Sequence, residues 1–130
     1  MAGEKNFENR VKSWLQTKGI YPLGTPKQKM SVAPIGYYEK RWGNAMTVSG
    51  LPDMHIVIGC LSIEIELKAP KGRASDLQIF MINQIRECDG YAFIMYEFEK
   101  NIPTKYENLC ISFEKFKEFI GEICKHHIVE

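Results

Sequence analysis

Along the first part of the chain, apolar side chains recur at Phe7, Val11, Trp14 and Leu15, a spacing of three and four residues that gathers them on one stripe of a helix. Asn6 is placed to cap that helix, which runs to about Thr17, where Lys18-Gly19 supplies a basic last turn and a glycine stop. Glu8 lies three residues before Val11 and seven before Leu15, so its carboxylate points along the apolar stripe and towards the edge of the core. Pro22, Gly24 and Pro26 then predict a loop from Ile20 to Lys29.

The next apolar runs have the period of strands. Segments near Ile35 to Lys40 and Ala45 to Val48 flank Trp42-Gly43-Asn44, and Met54 to Ile58 and Cys60 to Lys68 read as a hairpin turning near Gly59. From Ser62 onward the alternation is strict: Ile63, Ile65 and Leu67 face one side, while Ser62, Glu64, Glu66 and Lys68 line the other. A sheet face that turns charged in mid-strand is costly unless the charges are paired or hold a metal, so the stripe beside Asp53 points to a divalent-cation site. After a loop through Ala69-Pro70-Lys71-Gly72-Arg73, Ser75 and Gln78 form a capping-box pattern that starts a second helix through Ile79, Ile82, Ile85 and Arg86 to about Cys88. Asp89-Gly90 ends it, a strand follows from Tyr91 to Tyr96, and a short one lies near Leu109 to Ile111. Ser112 caps a last helix whose Phe113, Phe116, Phe119, Ile120 and Ile123 are core positions. The order helix, three strands, helix, strand, helix defines an α/β fold with a mixed central sheet flanked by helices.

With 130 residues the chain has the length of one domain, here residues 1–130. A net charge of +1 excludes a nucleic-acid signal in the overall composition, so any basic surface must be local. Cys60, Cys88, Cys110 and Cys124 show no metal-binding spacing, each lies in an apolar run that suits a buried thiol, and Met-Ala-Gly-Glu-Lys at the N-terminus has no apolar signal segment. Reduced thiols and a cytoplasmic location are expected. No apolar stretch approaches the roughly 20 residues that span a bilayer, so no membrane partner is expected.

Pro52-Asp53, Glu66-x-Lys68 and the downstream Gln78 resemble the PD-(D/E)XK nuclease superfamily, and the run Ile-Glu-Leu-Lys-Ala-Pro-Lys-Gly-Arg-Ala-Ser-Asp-Leu-Gln from Ile65 to Gln78 is similar to the VRR-NUC family. The likeness extends from Gly50 to Ile94 and includes the first helix with Glu8. It implies a restriction-endonuclease-like core and a metal-dependent DNA endonuclease that hydrolyses phosphodiester bonds with Mg²⁺ or Mn²⁺. Asp53 and Glu66 would supply carboxylates to the ion, as hard cations require, with the Leu67 carbonyl and Glu8 as further ligands the family implies. Lys68, two residues from Glu66 on the same strand face, can orient the attacking water and stabilise charge on the phosphate. Gln78 sits in a first helical turn where free N–H groups favour a phosphate; its amide serves either the scissile phosphate and water or the capping box.

Lys71, Arg73 and Ser75 lie beside the acidic site, where the two basic residues suit either phosphate contact or plain solvation. Tyr37, Tyr38, Lys40, Arg41 and Trp42 interleave aromatic and basic side chains in a way that fits a nucleic-acid surface or a strand or subunit contact equally. Glu64 is an accessory at most, His55 suits a strand residue, and His126 and His127 suit a solvated helix end. Relatives of this kind include stand-alone phage-type proteins akin to Holliday junction resolvases, which implies a branched DNA substrate, a homodimer and a bacterial or phage-infected host cell. The competing readings are an inactive DNA-binding or protein-interaction module on a nuclease fold, and a nuclease acting on RNA.

Overall fold

The computed structural model describes residues 2–41 and 49–128. Its elements are α1 (Ala2–Thr17), β1 (Ile20–Pro22), β2 (Gly36–Lys40), β3 (Met54–Ile58), β4 (Leu61–Lys68), α2 (Asp76–Glu87), β5 (Tyr91–Tyr96), β6 (Cys110–Ser112) and α3 (Phe113–Ile128), with short 3-10 turns at Lys27–Lys29, Glu99–Asn101 and Thr104–Leu109. The strands form one six-stranded sheet in chain order. β1 and β2 are parallel, β2, β3 and β4 form an antiparallel meander, and β5 and β6 run parallel to β4. The α/β class with a mixed sheet flanked by helices is therefore as the residue pattern predicts.

Alternation along the strands sorts the core into two faces. Ile63, Ile65 and Leu67 of β4 pack with Phe7, Val11 and Leu15 of α1 and Phe116 and Ile120 of α3, all buried. Phe7 and Phe113 meet edge to face with ring centroids 5.6 Å apart, which fastens α1 to α3. On the other face Ile82 of α2 packs with Ala92, Ile94 and Tyr96 of β5 and with Tyr106 and Leu109. β4 thus presents its apolar side to α1 and α3, and its charged side lies on the face that carries α2.

Some local expectations change. Helix α1 begins at Ala2, so Asn6 is an interior helical residue and not a cap. The stretch expected as loop from Ile20 contains β1, whose Ile20 and Tyr21 are buried beside β2. The strand expected at Ala45 to Val48 lies outside the described residues, as does Trp42. Helix α2 does end at Asp89-Gly90, but it is Asp89 that adopts the left-handed conformation, at φ 63°. A Cβ on Gly90 would stand 2.8 Å from the Ile85 side chain, so the glycine is required there by close approach. All four cysteines are free, and Cys60 and Cys88 are exposed at chain turns instead of buried in apolar runs. No helix among the described residues is long and apolar enough to cross a membrane.

Candidate active site

β3 and β4 pair so that Met54 stands opposite Ile65, which brings Asp53, just ahead of β3, against the C-terminal half of β4. The Leu67 backbone N–H donates to Asp53 Oδ2 at 3.0 Å, fixing that carboxylate on the strand that carries Glu66. Arg41 holds the same segment from the other side: its backbone N–H donates to the Asp53 carbonyl at 2.7 Å and its guanidinium to the Pro52 carbonyl at 3.0 Å.

Glu66 is 3% exposed. Its Oε2 accepts from Gln78 Nε2 at 3.0 Å and lies 3.5 Å from Lys68 Nζ, while Oε1 is buried without a hydrogen-bond partner among the described residues. Burial pushes the Glu66 carboxyl up to about 8; the Asp53 carboxylate adds to the rise and the Lys68 ammonium opposes it. Asp53, Glu66, Lys68 and Gln78 are thereby brought together. Gln78 forms the expected capping box, with Oε1 accepting from the Ser75 N–H at 2.9 Å while Ser75 Oγ accepts from the Gln78 N–H at 3.1 Å, and its Nε2 is left to bond Glu66.

Glu8 is also drawn to this end of the sheet, but from the α1 face. It is 5% exposed, and three ammonium groups surround it: Lys12 at 2.7 Å, Lys40 at 3.3 Å and Lys5 at 3.7 Å. Burial raises its pKa, yet Lys12 and Lys40 together outweigh burial and hold the carboxyl below its usual range. Lys40 also lies 3.8 Å from Asp53 Oδ1. Glu8 therefore meets Asp53 through an ammonium and not directly, and among the described residues no three His, Cys, Asp or Glu side chains converge as a metal cluster.

Within the stretch Tyr37 to Arg41, Tyr38 and Arg41 are engaged by partners inside the fold, while Glu39 is exposed. Tyr38 is buried and hydrogen-bonded to Gln16, and Arg41 is committed to Glu64, with Nη2 3.0 Å from Oε2 and a second bond from Nη1 to Oε1. Glu64 is thus neutralised by Arg41 and stands apart from Glu66. His55 Nε2 lies 2.7 Å from Ser62 Oγ within the strand pairing, as a strand residue should. The exposed His126 lies 3.9 Å from Glu122 on α3, and the side chain of His127 lies outside the described residues.

Lys71, Arg73 and Ser75 are exposed on the loop that joins β4 to α2, with Arg73 Nη1 donating to the Gly72 carbonyl at 2.8 Å. Two residues that the sequence pattern did not single out hold this loop. Tyr96, which pairs with Lys68 across β4 and β5, donates its hydroxyl to the Gly72 carbonyl at 2.7 Å. The Tyr106 hydroxyl accepts from the Ala74 N–H at 2.9 Å and lies 2.8 Å from that of Tyr96. Only the parallel register of β4 and β5 could have pointed to Tyr96, while Lys12 was detectable as the i+4 partner of Glu8.

The donor set fits a hard divalent cation. Two carboxylates converge, one of them with a buried oxygen that has no hydrogen-bond partner among the described residues and a proton affinity raised by withdrawal from water. No family model, curated protein or solved structure matches the chain.

Proposed function

We propose that this chain is a divalent-metal-dependent DNA endonuclease of the VRR-NUC type within the PD-(D/E)XK superfamily, hydrolysing phosphodiester bonds in branched DNA such as four-way junctions. The observation that carries the reading is the state of Glu66: buried, held through Oε2 by Gln78 and Lys68, left open at Oε1, and faced by an Asp53 carboxylate that the Leu67 amide anchors. The succession α1, β2, β3, β4, α2, β5 supports a restriction-endonuclease-like core, with the acidic pair near the C-terminal end of β4. The cell would be bacterial or phage-infected and the active form a homodimer, which doubles the surface a short chain offers to a junction.

Asp53 and Glu66 would hold Mg²⁺ or Mn²⁺, with the Leu67 carbonyl as a further oxygen donor. Such an ion, when bound, polarises the phosphoryl group and lowers the pKa of a coordinated water. The remaining work belongs to this chain. Lys68 brings a positive charge to the phosphate oxygens as charge accumulates on them, and it also lessens the repulsion between the two carboxylates. Gln78 fixes the rotamer of Glu66 so that Oε1 stays directed away from the helix bond. The first turn of α2 offers N–H groups to a phosphate, and Lys71 and Arg73 offer sequence-independent contacts to the backbone on either side.

Labelled four-way junction, linear duplex, single-stranded DNA and RNA of matched sequence, incubated with the purified protein in Mg²⁺ or Mn²⁺, test the reading. Junction cleavage is expected, reduced at least about a hundredfold in Glu66→Ala and Lys68→Ala. Preferential cleavage of RNA would move the activity to another substrate. Failure to cut any of them, or undiminished cutting by both variants, would leave a binding module.

A further inference from the structure

A carboxylate that is nearly out of water and still charged must be matched by a cation, and at Glu8 the chain's own lysines provide it. Lys12 Nζ stands 2.7 Å from Glu8 Oε2, and Lys40 Nζ stands 3.3 Å from Oε1. The same Lys40 ammonium lies 3.8 Å from Asp53 Oδ1. One positive charge thus occupies the gap between a carboxylate from α1 and a carboxylate from the segment leading into β3. Its position is set by strand pairing, since Lys40 is opposite Met54 at the end of β2. The Arg41 N–H to Asp53 carbonyl bond clamps the neighbouring backbone.

We propose that Lys40 is the second cation of this site: its ammonium fills the position between Glu8 and Asp53, so that the chain takes one divalent ion, at Asp53 and Glu66, and Glu8 is not a metal ligand. The proposal rests on the reading of Asp53 and Glu66 as a divalent-cation site. Two-ion phosphodiesterase centres place their ions about 3.5–4 Å apart and stabilise both the attacking and the leaving oxygen. In this chain Asp53 is the carboxylate that two ions would have to share. One of its oxygens is taken by the Leu67 amide and the other faces Lys40. A second divalent ion on the Glu8 side would meet the Lys40 and Lys12 ammonium groups before it met an open oxygen. Glu8 Oε2 and Glu66 Oε1 are both buried without a hydrogen bond among the described residues, but Glu8 Oε2 has the Lys12 ammonium 2.7 Å away, which leaves Glu66 Oε1 as the oxygen open to an ion. The arrangement therefore separates two tasks: Glu66 and Asp53 take up the ion, while Glu8 retains Lys40 against Asp53.

The test is the number of ions bound, read without any nucleic acid. Metal-free protein is titrated with Mn²⁺ while free ion is followed by electron paramagnetic resonance, and circular dichroism confirms the fold of each variant. The wild type is expected to bind one Mn²⁺ per chain and Lys40→Arg one. Lys40→Met removes the ammonium between Glu8 Oε1 and Asp53 Oδ1, with Lys12 and Lys5 still at Glu8 Oε2, and is expected to bind two, falling back to one in Glu8→Gln/Lys40→Met. Lys40→Gln, which keeps a polar side chain at the same strand position, is run alongside and is also expected to bind two. Two ions in the wild type would overturn the proposal. So would one ion in wild type, Lys40→Met and Lys40→Gln with Kd values within twofold, which would leave the Asp53 and Glu66 reading intact. No Mn²⁺ bound by the wild type at millimolar concentration would overturn both.

Discussion

Gln78 is hydrogen-bonded to Glu66 across the gap between α2 and β4, with Nε2 donating to Oε2 at 3.0 Å, while the other end of the same amide caps its own helix. The start of α2 and the rotamer of the buried carboxylate are therefore one structure. Gln78→Glu separates them. A glutamate at this position still accepts from the Ser75 N–H, so the helix start survives, but it replaces the donor to Glu66 with a second carboxylate. Thermal unfolding at pH 6 is expected within about 1 kcal/mol of wild type, since the capping box is kept. Junction cleavage is expected to fall by about ten- to hundredfold, the usual effect of losing a group that orients a metal ligand. Gln78→Ala loses both, and its melting temperature should drop as well.

Tyr96 and Tyr106 provide a second lever on the same loop. Their hydroxyls bond each other and take up the Gly72 carbonyl and the Ala74 N–H. Tyr106→Phe keeps the ring in the core but leaves the Ala74 N–H without a partner, at a cost of about 1–3 kcal/mol. Tyr96→Phe should cost a similar amount, and the double variant less than the sum, because the two hydroxyls share one network. Denaturant unfolding measures the energies. Hydrogen exchange at Ala74, faster in Tyr106→Phe and little changed at Ile94, locates the effect in the loop.

How much of this was legible along the chain depends on the range of the forces involved. The Ser75 and Gln78 capping box and the alternation from Ser62 to Lys68 are local patterns, and both elements form where those residues stand. The Ser112 cap is local too, with its Oγ accepting from the Lys115 N–H. The direction of Glu8 and its i+4 partner Lys12 followed from helical geometry, but its pairing with Lys40 did not. Lys40 reaches it only because β2 is registered against β3 at Met54, a pairing set by tertiary contacts. Arg41 fits a nucleic-acid surface or a strand or subunit contact equally in the sequence, and it becomes a brace for Pro52-Asp53 once that register is fixed. Strand β1 was illegible because three residues, the last of them Pro22, carry no periodicity, and parallel pairing to β2 makes the strand.

Gly19 shows the same contrast energetically, and Gly24 is its control. Both have positive φ, 86° and 96°, but a Cβ on Gly19 would stand 2.3 Å from the Ala33 carbonyl oxygen, whereas one on Gly24 would meet nothing within 4 Å. Gly24→Ala is expected to cost only the left-handed backbone penalty, about 1 kcal/mol. Gly19→Ala must in addition displace the strand-like segment whose Ile35 N–H donates to the Gly19 carbonyl at 2.8 Å, adding about 1–3 kcal/mol. Urea unfolding of the two variants side by side checks the difference.

Stability and ion binding should be coupled through Glu66. Its carboxyl moves from an ordinary value of 4.5 in the unfolded chain to about 8 in the folded one. Between those values the folded metal-free protein holds a proton that the unfolded chain has lost, so stability falls as pH rises from about 5 to about 8 and levels off above that. The loss is expected to be on the order of a few kcal/mol, and Glu66→Gln, which cannot ionise, should not show this part of the fall. On the proposed reading a divalent ion would bind the ionised carboxylate and have the reverse dependence: the stabilisation it confers should grow with pH through the same range, with a proton released on binding. Urea unfolding of wild type and Glu66→Gln at pH 6 and pH 9, with chelator and with Mn²⁺, measures both slopes. A wild-type protein whose metal-free stability is flat across that range, or whose gain from Mn²⁺ is as large at pH 6 as at pH 9, would show that Glu66 is ionised in the fold before any ion arrives.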